Sequence, residues 1–406
     1  MADPKAAVRA VGLISGTSAD GIDAALIELS GQPDQPQVTL LAGQTIPYDA
    51  ALQQRIWAVC AGEALSMADL AIFDDAIARA FAQAAIAIQV GQPAAHLIGS
   101  HGQTVYHRPR RLSGESPENG LAYSLQLGRG AAIAHYTGLP TVADFRQGDI
   151  ASGGEGAPLV PALDALLLLH PTQWRCVQNI GGIGNVTYLP PTGSPEPVLG
   201  WDTGPGNSLL DLAVQRLSGG EQLYDHGGSW AAKGTICAPL LNQWLGHPFF
   251  ALPPPKSTGR ELFGWEFLQR CLAEAEAHNL EDADVLATLT ELTAASIARS
   301  YGDLPHPPHQ VLLCGGGRHN RYLVSRLQQH LPAAEIVPTD AAGLNADYKE
   351  AIAFGLLAYW RYHGVTSNVP SVTGAARFVS LGDLYWPPSW PYDREDAPKL
   401  AMPSND

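Results

Sequence analysis

The sequence predicts an α/β fold made of two related halves, and three observations carry that expectation. Short apolar runs that read as buried strands alternate with longer stretches of helical spacing. Four glycine turns follow such strands: Gly16-Thr-Ser-Ala-Asp-Gly21, Gly181-Gly-Ile-Gly184, Asp202-Thr-Gly-Pro-Gly206 and Cys314-Gly-Gly-Gly317. A strand–turn–strand hairpin near the N-terminus is echoed near residue 180. The chain therefore reads as two copies of one architectural unit, although their sequence similarity is slight.

Taken in order, Val8–Ile14 is a buried strand, Ser15–Gly21 a polar turn, and Ile22–Leu29 alternates like a returning strand. A strand after the glycines, where a Walker loop has a helix, sets this turn apart. Ala68–Val90 is alanine-rich with apolar residues at helical spacing and predicts a long helix. His96–Ile98 is a short strand leading into Gly99-Ser-His-Gly-Gln-Thr104, and His107–Gly120 reads as an exposed loop. A strand at Leu121–Leu127 and a helix at Gly130–Thr137, closed by Gly138, follow. Pro140–Ala143 is a strand ending at Asp144-Phe-Arg146. The pattern restarts with a strand at Arg175–Ile180, a turn at Gly181–Asn185 and a strand at Val186–Leu189. Leu199–Trp201 precedes the turn Asp202–Asn207 and a helix over about Ser208–Leu217. Helices are expected at Ala283–Tyr301, Asn320–Leu331 and Asp347–His363, and a strand at Gln310–Leu313. The Pro- and Trp-rich tail after Pro370 is expected to pack on the first half. The predicted division is 1–137 with 366–406, and 138–365.

Composition narrows the function. At 406 residues and 46% hydrophobic, the chain has enough apolar material for a sizeable core. With 39 acidic against 24 basic residues the net charge is −15, which repels phosphate backbones and argues against nucleic-acid partners. A small phosphate ligand held by backbone N–H groups remains compatible. The five cysteines, Cys60, Cys176, Cys237, Cys271 and Cys314, form no C-x-x-C pair, so neither a disulfide framework nor a zinc finger is supported. No apolar run approaches the roughly 18 residues that span a bilayer, and residues 1–5 lack an apolar leader. A soluble, cytoplasmic protein without membrane contact is expected.

Glycine lets a ligand approach the backbone and turns N–H groups towards an anion. Any one such turn alone is weak evidence and reads first as loop punctuation. Four at strand C-termini converge on one crevice in a doubly wound sheet. Asp20, Asp144, Asp149, Asp202 and Asp211 lie in or beside these turns, as Mg²⁺ holders or a general base, or as Asx-turns and helix caps. Asp202 is the sharpest case, because an apolar approach and a Gly-Pro-Gly turn aim its carboxylate into the crevice; Asp211 reads as a helix-face residue. Ser100–Thr104 suits sugar hydroxyls or phosphates, or contains a structural histidine.

Gly12-Leu-Ile-Ser-Gly-Thr-Ser-Ala-Asp-Gly-Ile-Asp23, Gly99–Thr104, Val142–Arg146 with Asp149, Gly153–Pro161, Asn179–Asn185, Gly200–Asn207, Pro255–Arg260, Cys314–Gly317 with Asn320, and Glu350–Phe354 occur in that order. Together they resemble the signatures of the anhydro-N-acetylmuramic acid kinase family, from about residue 8 to 385. The resemblance implies a two-domain actin-like ATPase fold (sugar kinase/Hsp70/actin) with a central ATP cleft. It implies conversion of 1,6-anhydro-N-acetylmuramic acid, ATP and water to N-acetylmuramic acid 6-phosphate and ADP in peptidoglycan recycling, with Mg²⁺, and a homodimer. By motif, Gly16, Thr17, Ser18, Ala19, Asp20, Gly21, Ile22 and Asp23 would bind ATP phosphates. Asn179, Gly181, Gly182, Asn185, Gly204, Gly206 and Asn207 would form the second phosphate turn. Gly315, Gly316, Gly317 and Asn320 would lie near the nucleoside. Asp202 would be the catalytic carboxylate and, with Asp20, a Mg²⁺ ligand. Ser100, His101, Gln103, Thr104, Asp144, Arg146 and Glu350 would line the sugar side. The alternatives are another small-molecule kinase of this fold, a nucleotide-dependent binding protein, or a glycoside hydrolase pairing Asp202 with Glu350.

Overall fold

The computed structural model describes residues 7–16, 19–108, 121–254 and 256–388. Its first stretch contains β1 (Val8–Ser15), β2 (Gly21–Gln32), β3 (Gln35–Pro47), α1 (Ala50–Cys60), α2 (Met67–Ala87), β4 (Leu97–Arg108), β5 (Tyr123–Leu127), α3 (Gly130–Thr137), β6 (Thr141–Ala143), α4 (Phe145–Ala151) and α5 (Pro161–Leu167). The middle contains β7 (Arg175–Ile180), β8 (Ile183–Leu189), β9 (Leu199–Pro205), α6 (Ser208–Leu217), α7 (Ala238–Leu245), α8 (Trp265–Ala277), α9 (Asp282–Ser300), β10 (Gln310–Cys314), α10 (Arg321–His330) and β11 (Glu335–Pro338). The last is α11 (Lys349–Tyr362), α12 (Pro370–Thr373) and β12 (Asp383–Tyr385).

Two sheets share one plan. In the first, β1, β2 and β3 form an antiparallel meander, β1 also pairs in parallel with β4, and β4 in parallel with β6. In the second, β7, β8 and β9 form the meander, β7 pairs in parallel with β10, and β10 with β11. Numbered within each copy, both read 3-2-1-4-5, with β12 and β5 added to the first. This doubled plan is the actin-like ATPase fold, and it bears out the two-copy reading.

Packing divides the chain into two compact units, one ending at Leu163 and resuming at Tyr348, the other Asp164–Asp347. β6 belongs to the first sheet and α11 packs on β1, β2 and β4. Residues 138–163 and 348–365 therefore go with the first unit, where the sequence alone suggests breaks at 137/138 and 365/366. The tail joins that unit through β12, which pairs with β6.

In the first unit, Ser66 caps α2 by accepting from the Asp69 N–H, and α2 buries Phe73, Ile77 and Phe81 against Val11, Leu13 and Ile98. The other sheet face receives α11 at very short range. Gly12 and Gly99 are register partners on β1 and β4. A Cβ on Gly12 would sit 1.8 Å from the Ala351 carbonyl oxygen, and one on Gly99 2.0 Å from that of Phe354. Both motif glycines are thus accounted for by helix–sheet packing. In the second unit, α9 is buried over most of its length, beside an aromatic cluster of Phe249, Phe250, Phe263 and Phe267.

Some elements run past their predicted ends. β4 continues through the Gly99–Thr104 motif, and β9 continues through Asp202 because β8 pairs with it as far as Ile183↔Pro205. Asp202 therefore stands on a strand, where a turn is predicted. The polar segment predicted as a loop begins inside β4, and its residues 109–120 lie outside the described residues. Among the described residues no helix is long and apolar enough to cross a membrane, and all five cysteines are free thiols.

Candidate active site

The second unit positions the carboxylate of Asp202. On β9 it is the register partner of Asn185 on β8, and its N–H is tied to the Lys256 carbonyl. Both side-chain hydrogen bonds reach the same oxygen: the Ser257 hydroxyl and the Thr258 N–H each donate to Oδ2 at 2.9 Å. Oδ1 has no protein donor among the described residues and is left to accept from a ligand. The carboxylate keeps some solvent contact but is densely surrounded. Burial raises its pKa to about 6 against the lowering effect of Thr258 and Ser257, with Glu261 adding to the rise. A base must be ionised to act, so an activity that depends on Asp202 falls about tenfold per pH unit below about 6. A kcat/KM profile with its acid limb near an ordinary carboxylate value would contradict that assignment. Ser257 and Thr258 lie in the Pro255–Arg260 run, which the sequence marks without giving either residue a role.

Around the β7–β8 turn, the protein's own packing accounts for some glycines and not for others. A Cβ on Gly206 would meet the Gly181 carbonyl at 2.2 Å, one on Gly317 would meet Ile180 at 2.2 Å, and one on Gly204 would meet Phe250 at 2.8 Å. The N–H groups of Gly206 and Asn207 donate to the carbonyls of Gly182 and Gly181, and Asn207 Nδ2 to Ile180. These residues shape the turn. A Cβ on Gly181 would meet nothing nearer than 3.5 Å, and one on Gly316 nothing nearer than 3.8 Å. Neither glycine is required by its neighbours or by a positive φ, which suits close approach of a phosphate to the backbone. Gly315, at φ +77°, abuts Asn179 Oδ1. Asn320 caps α10 by accepting from the Leu323 N–H.

In the first unit the β1–β2 turn presents Gly16 and Asp20 to solvent, while Ala19, Gly21 and Ile22 are buried. Ala19 sits at φ 52° and its N–H returns to the Gly16 carbonyl. Asp23, half-buried on β2, accepts from the Thr45 hydroxyl at 2.6 Å. Thr17 and Ser18 lie outside the described residues. Gln103 braces this turn: its amide donates to the Gly16 carbonyl at 3.4 Å and accepts from the Tyr48 hydroxyl at 3.2 Å.

A cavity of about 310 Å³ lies at the C-terminal ends of β4 and β6. Ser100, His101 and Asp144 line it, with Gln126, Arg129 and residues of α2. Arg146 donates through Nε and Nη2 to His101 Nε2 at 3.0 and 2.8 Å. That places the imidazole proton on Nδ1, 3.0 Å from the Gly102 carbonyl. Burial, then the Arg146 charge, hold His101 well below the usual histidine range, so it stays neutral. Burial also lowers Arg146 to about 10, opposed by the charges of Glu350 and Asp149. Thr104 accepts from Gln126 and does not line the cavity. Asp149 is a structural staple, fully buried and accepting from Gly156, Asn368 and Thr373.

Among the described residues no group of three or more His, Cys, Asp or Glu side chains could hold a metal by itself. Mg²⁺ commonly takes one or two carboxylates and completes its shell with phosphate oxygens and water. Asp20 in the first unit and Asp202 in the second each offer carboxylate oxygen of that kind.

The sequence profile described as anhydro-N-acetylmuramic acid kinase matches residues 8–387. A protein of that name from Cyanothece sp. is 60% identical over 380 residues, covering 92% of this chain and 98% of the relative. Another from Rippkaea orientalis is 57% identical over 382 residues, covering 93% and 99%. Among solved structures, component A of the Acidaminococcus fermentans (R)-2-hydroxyglutaryl-CoA dehydratase aligns at 11% identity with a TM-score of 0.43, covering 87% of this chain and 98% of that one.

Proposed function

Because the chain belongs to the anhydro-N-acetylmuramic acid kinase family, we propose that Asp202 is the base that activates water in its reaction. The protein is an ATP-dependent kinase that acts on 1,6-anhydro-N-acetylmuramic acid in peptidoglycan recycling and works with ATP and Mg²⁺. We assign it to the cytoplasm.

The single observation that carries the assignment is the one-sided hydrogen bonding of Asp202. Ser257 and Thr258 fix Oδ2, which orients the carboxylate and leaves Oδ1 to accept a proton. As Oδ1 takes a proton from water, the water oxygen bonds to the anomeric carbon and the C1–O6 bond of the bicycle breaks. The O6 electron pair attacks the γ-phosphorus, and ADP leaves with the electrons of the bond to its β-phosphate. General base catalysis contributes about 10²–10⁴-fold, and release of ring strain lowers the barrier for a weak base. Mg²⁺, when bound, would neutralise charge developing on the phosphates, with Asp20 as a carboxylate that could hold it. The backbone at Gly181 and Gly316 in one unit, and the Gly16–Asp23 turn in the other, are the phosphate-binding elements. Gly204, Gly206, Asn207 and Gln103 shape those turns, Asn179 and Asn185 flank the second, and Gly315, Gly317 and Asn320 support the nucleoside side.

A coupled ADP assay tests this reading. ADP release is expected with the anhydro sugar and not with N-acetylmuramic acid or without sugar. Equal release without sugar would favour a nucleotide-dependent binding protein, and ring opening without ATP a glycoside hydrolase.

A further inference from the structure

The strand that carries Asp202 is irregular beside it, and one buried side chain ties the irregularity to the core. β8 and β9 pair as Gly184↔Gly204 and then as Asn185↔Asp202, so Thr203 is an extra residue on β9 with no register partner. That is a β-bulge, a device that re-aims neighbouring side chains beside functional sites. Gly204 follows it at φ +126°, a conformation that other residues avoid. The Thr203 hydroxyl is buried and accepts from Gln178 Nε2 at 3.3 Å. Gln178 is fully buried on β7, on the other side of β8.

The same amide makes two further bonds. Nε2 donates to the Asn179 carbonyl at 3.1 Å, and Oε1 accepts from the Tyr301 hydroxyl at 3.0 Å. The Asn179 carbonyl can only accept, which fixes the amide nitrogen on that side. Burial holds the Tyr301 phenol well above its usual range, so it stays a donor. Tyr301 directly follows α9, and α9 also holds the chain beyond the bulge: the Thr293 hydroxyl donates to the Gly206 carbonyl at 3.1 Å. Gly184 is accounted for by the same pair, because a Cβ there would stand 2.7 Å from Thr203 Oγ1 and 3.5 Å from Gln178 Nε2. The apolar cluster of this unit, with Ile180, Val186 and Ile297, lies around the sheet here. An apolar side chain at 178 would avoid the cost of burying an amide, so the amide is kept for what it ties together.

We propose that Gln178 is a positioning residue for turnover: anchored by Tyr301, it fixes the Thr203 bulge and so the place of the Asp202 carboxylate. The proposal rests on the reading of Asp202 as the base. Ser257 and Thr258 orient that carboxylate, and Gln178 sets where its strand stands. A reacting group displaced by about 1 Å loses up to roughly 10²-fold in rate.

The test uses the full chain and steady-state kinetics with the anhydro sugar and ATP. Thr203→Val removes the bond to the bulge, keeps the side-chain shape and leaves the Asn179 and Tyr301 bonds of Gln178 in place. It is expected to lower kcat about tenfold or more, with KM for ATP within about threefold of wild type. Thr203→Ser keeps the hydroxyl and is expected to restore kcat to within about threefold of wild type. Lost packing alone would predict the reverse, since serine lacks the methyl group and valine does not. Gln178→Leu should be as slow as Thr203→Val, and the double variant slower than either by no more than about twofold. Should Gln178→Leu fail to fold, the valine and serine variants decide alone. The proposal is overturned by a Thr203→Val kcat within about twofold of wild type, by a loss carried by KM alone, or by a Thr203→Ser as slow as Thr203→Val. Near-wild-type turnover by Asp202→Asn would instead remove the base itself, leaving no carboxylate to position.

Discussion

Asp202→Asn is expected to lower sugar-dependent ADP release by about 10²–10⁴-fold, the usual worth of a general base. Asparagine matches the shape, and its carbonyl oxygen can still accept from Ser257 and Thr258. What it loses is the ability to take a proton. The same change should not unfold the protein. The folded-state pKa of Asp202 is raised to about 6 from 3.8. A raised carboxylate contributes stability below its unfolded value and loses it as pH rises through the folded one, so at neutral pH the ionised group burdens the fold. The variant should therefore melt at or above the wild-type temperature at pH 7.5 and retain ATP binding. Near-wild-type turnover by a folded Asp202→Asn protein would remove this residue from the chemistry.

Gly12→Val and Gly99→Val are expected to be the most damaging substitutions to the fold. The added Cβ atoms would meet backbone carbonyl oxygens of α11 at 1.8 and 2.0 Å. No rotamer change relieves a clash with helix backbone. The helix would have to lift from β1 and β4, exposing Ile352, Phe354 and Leu356, which are now buried. The cost should be several kcal/mol, a large part of a typical 5–15 kcal/mol stability. Either variant should be insoluble or melt at least roughly 10 °C lower. At Gly302 an added Cβ meets nothing within 4 Å, and Gly302→Ala should change melting by no more than about 2 °C. Equal melting temperatures for Gly99→Val and Gly302→Ala would show that the helix does not need this close approach.

Several elements are legible because their signals are local. The helix Gly130–Thr137 is bounded by Gly138 at φ 69°, and the first hairpin of each meander announces itself through its turn. β3 is not legible: the Gly31-Gln-Pro-Asp34 turn reads as an end, and the strand beyond it, at the edge of its sheet, is little buried and keeps no clear alternation of apolar and polar residues. The helices α7 and α8 are held by the Phe249–Phe267 aromatic cluster, a long-range arrangement with little local periodicity to report it. Asp202 stands out in sequence, but its ties to Ser257 and Thr258 bridge 55 and 56 residues. The glycine turns look alike in sequence. Only neighbouring atoms separate Gly206 and Gly317, which packing demands, from Gly181 and Gly316, which it does not. For the same reason the sequence does not show that Gln103 and Asp149 also bond within the protein, to Gly16 and to Gly156.

Turnover in ¹⁸O-water, followed by mass spectrometry of the sugar product, tests the central claim most directly. If Asp202 activates water against the anomeric carbon, one label enters the C1 hydroxyl and none enters the transferred phosphate. Label in the phosphate, or an unlabelled C1 hydroxyl once solvent exchange through the open sugar is subtracted, would contradict it.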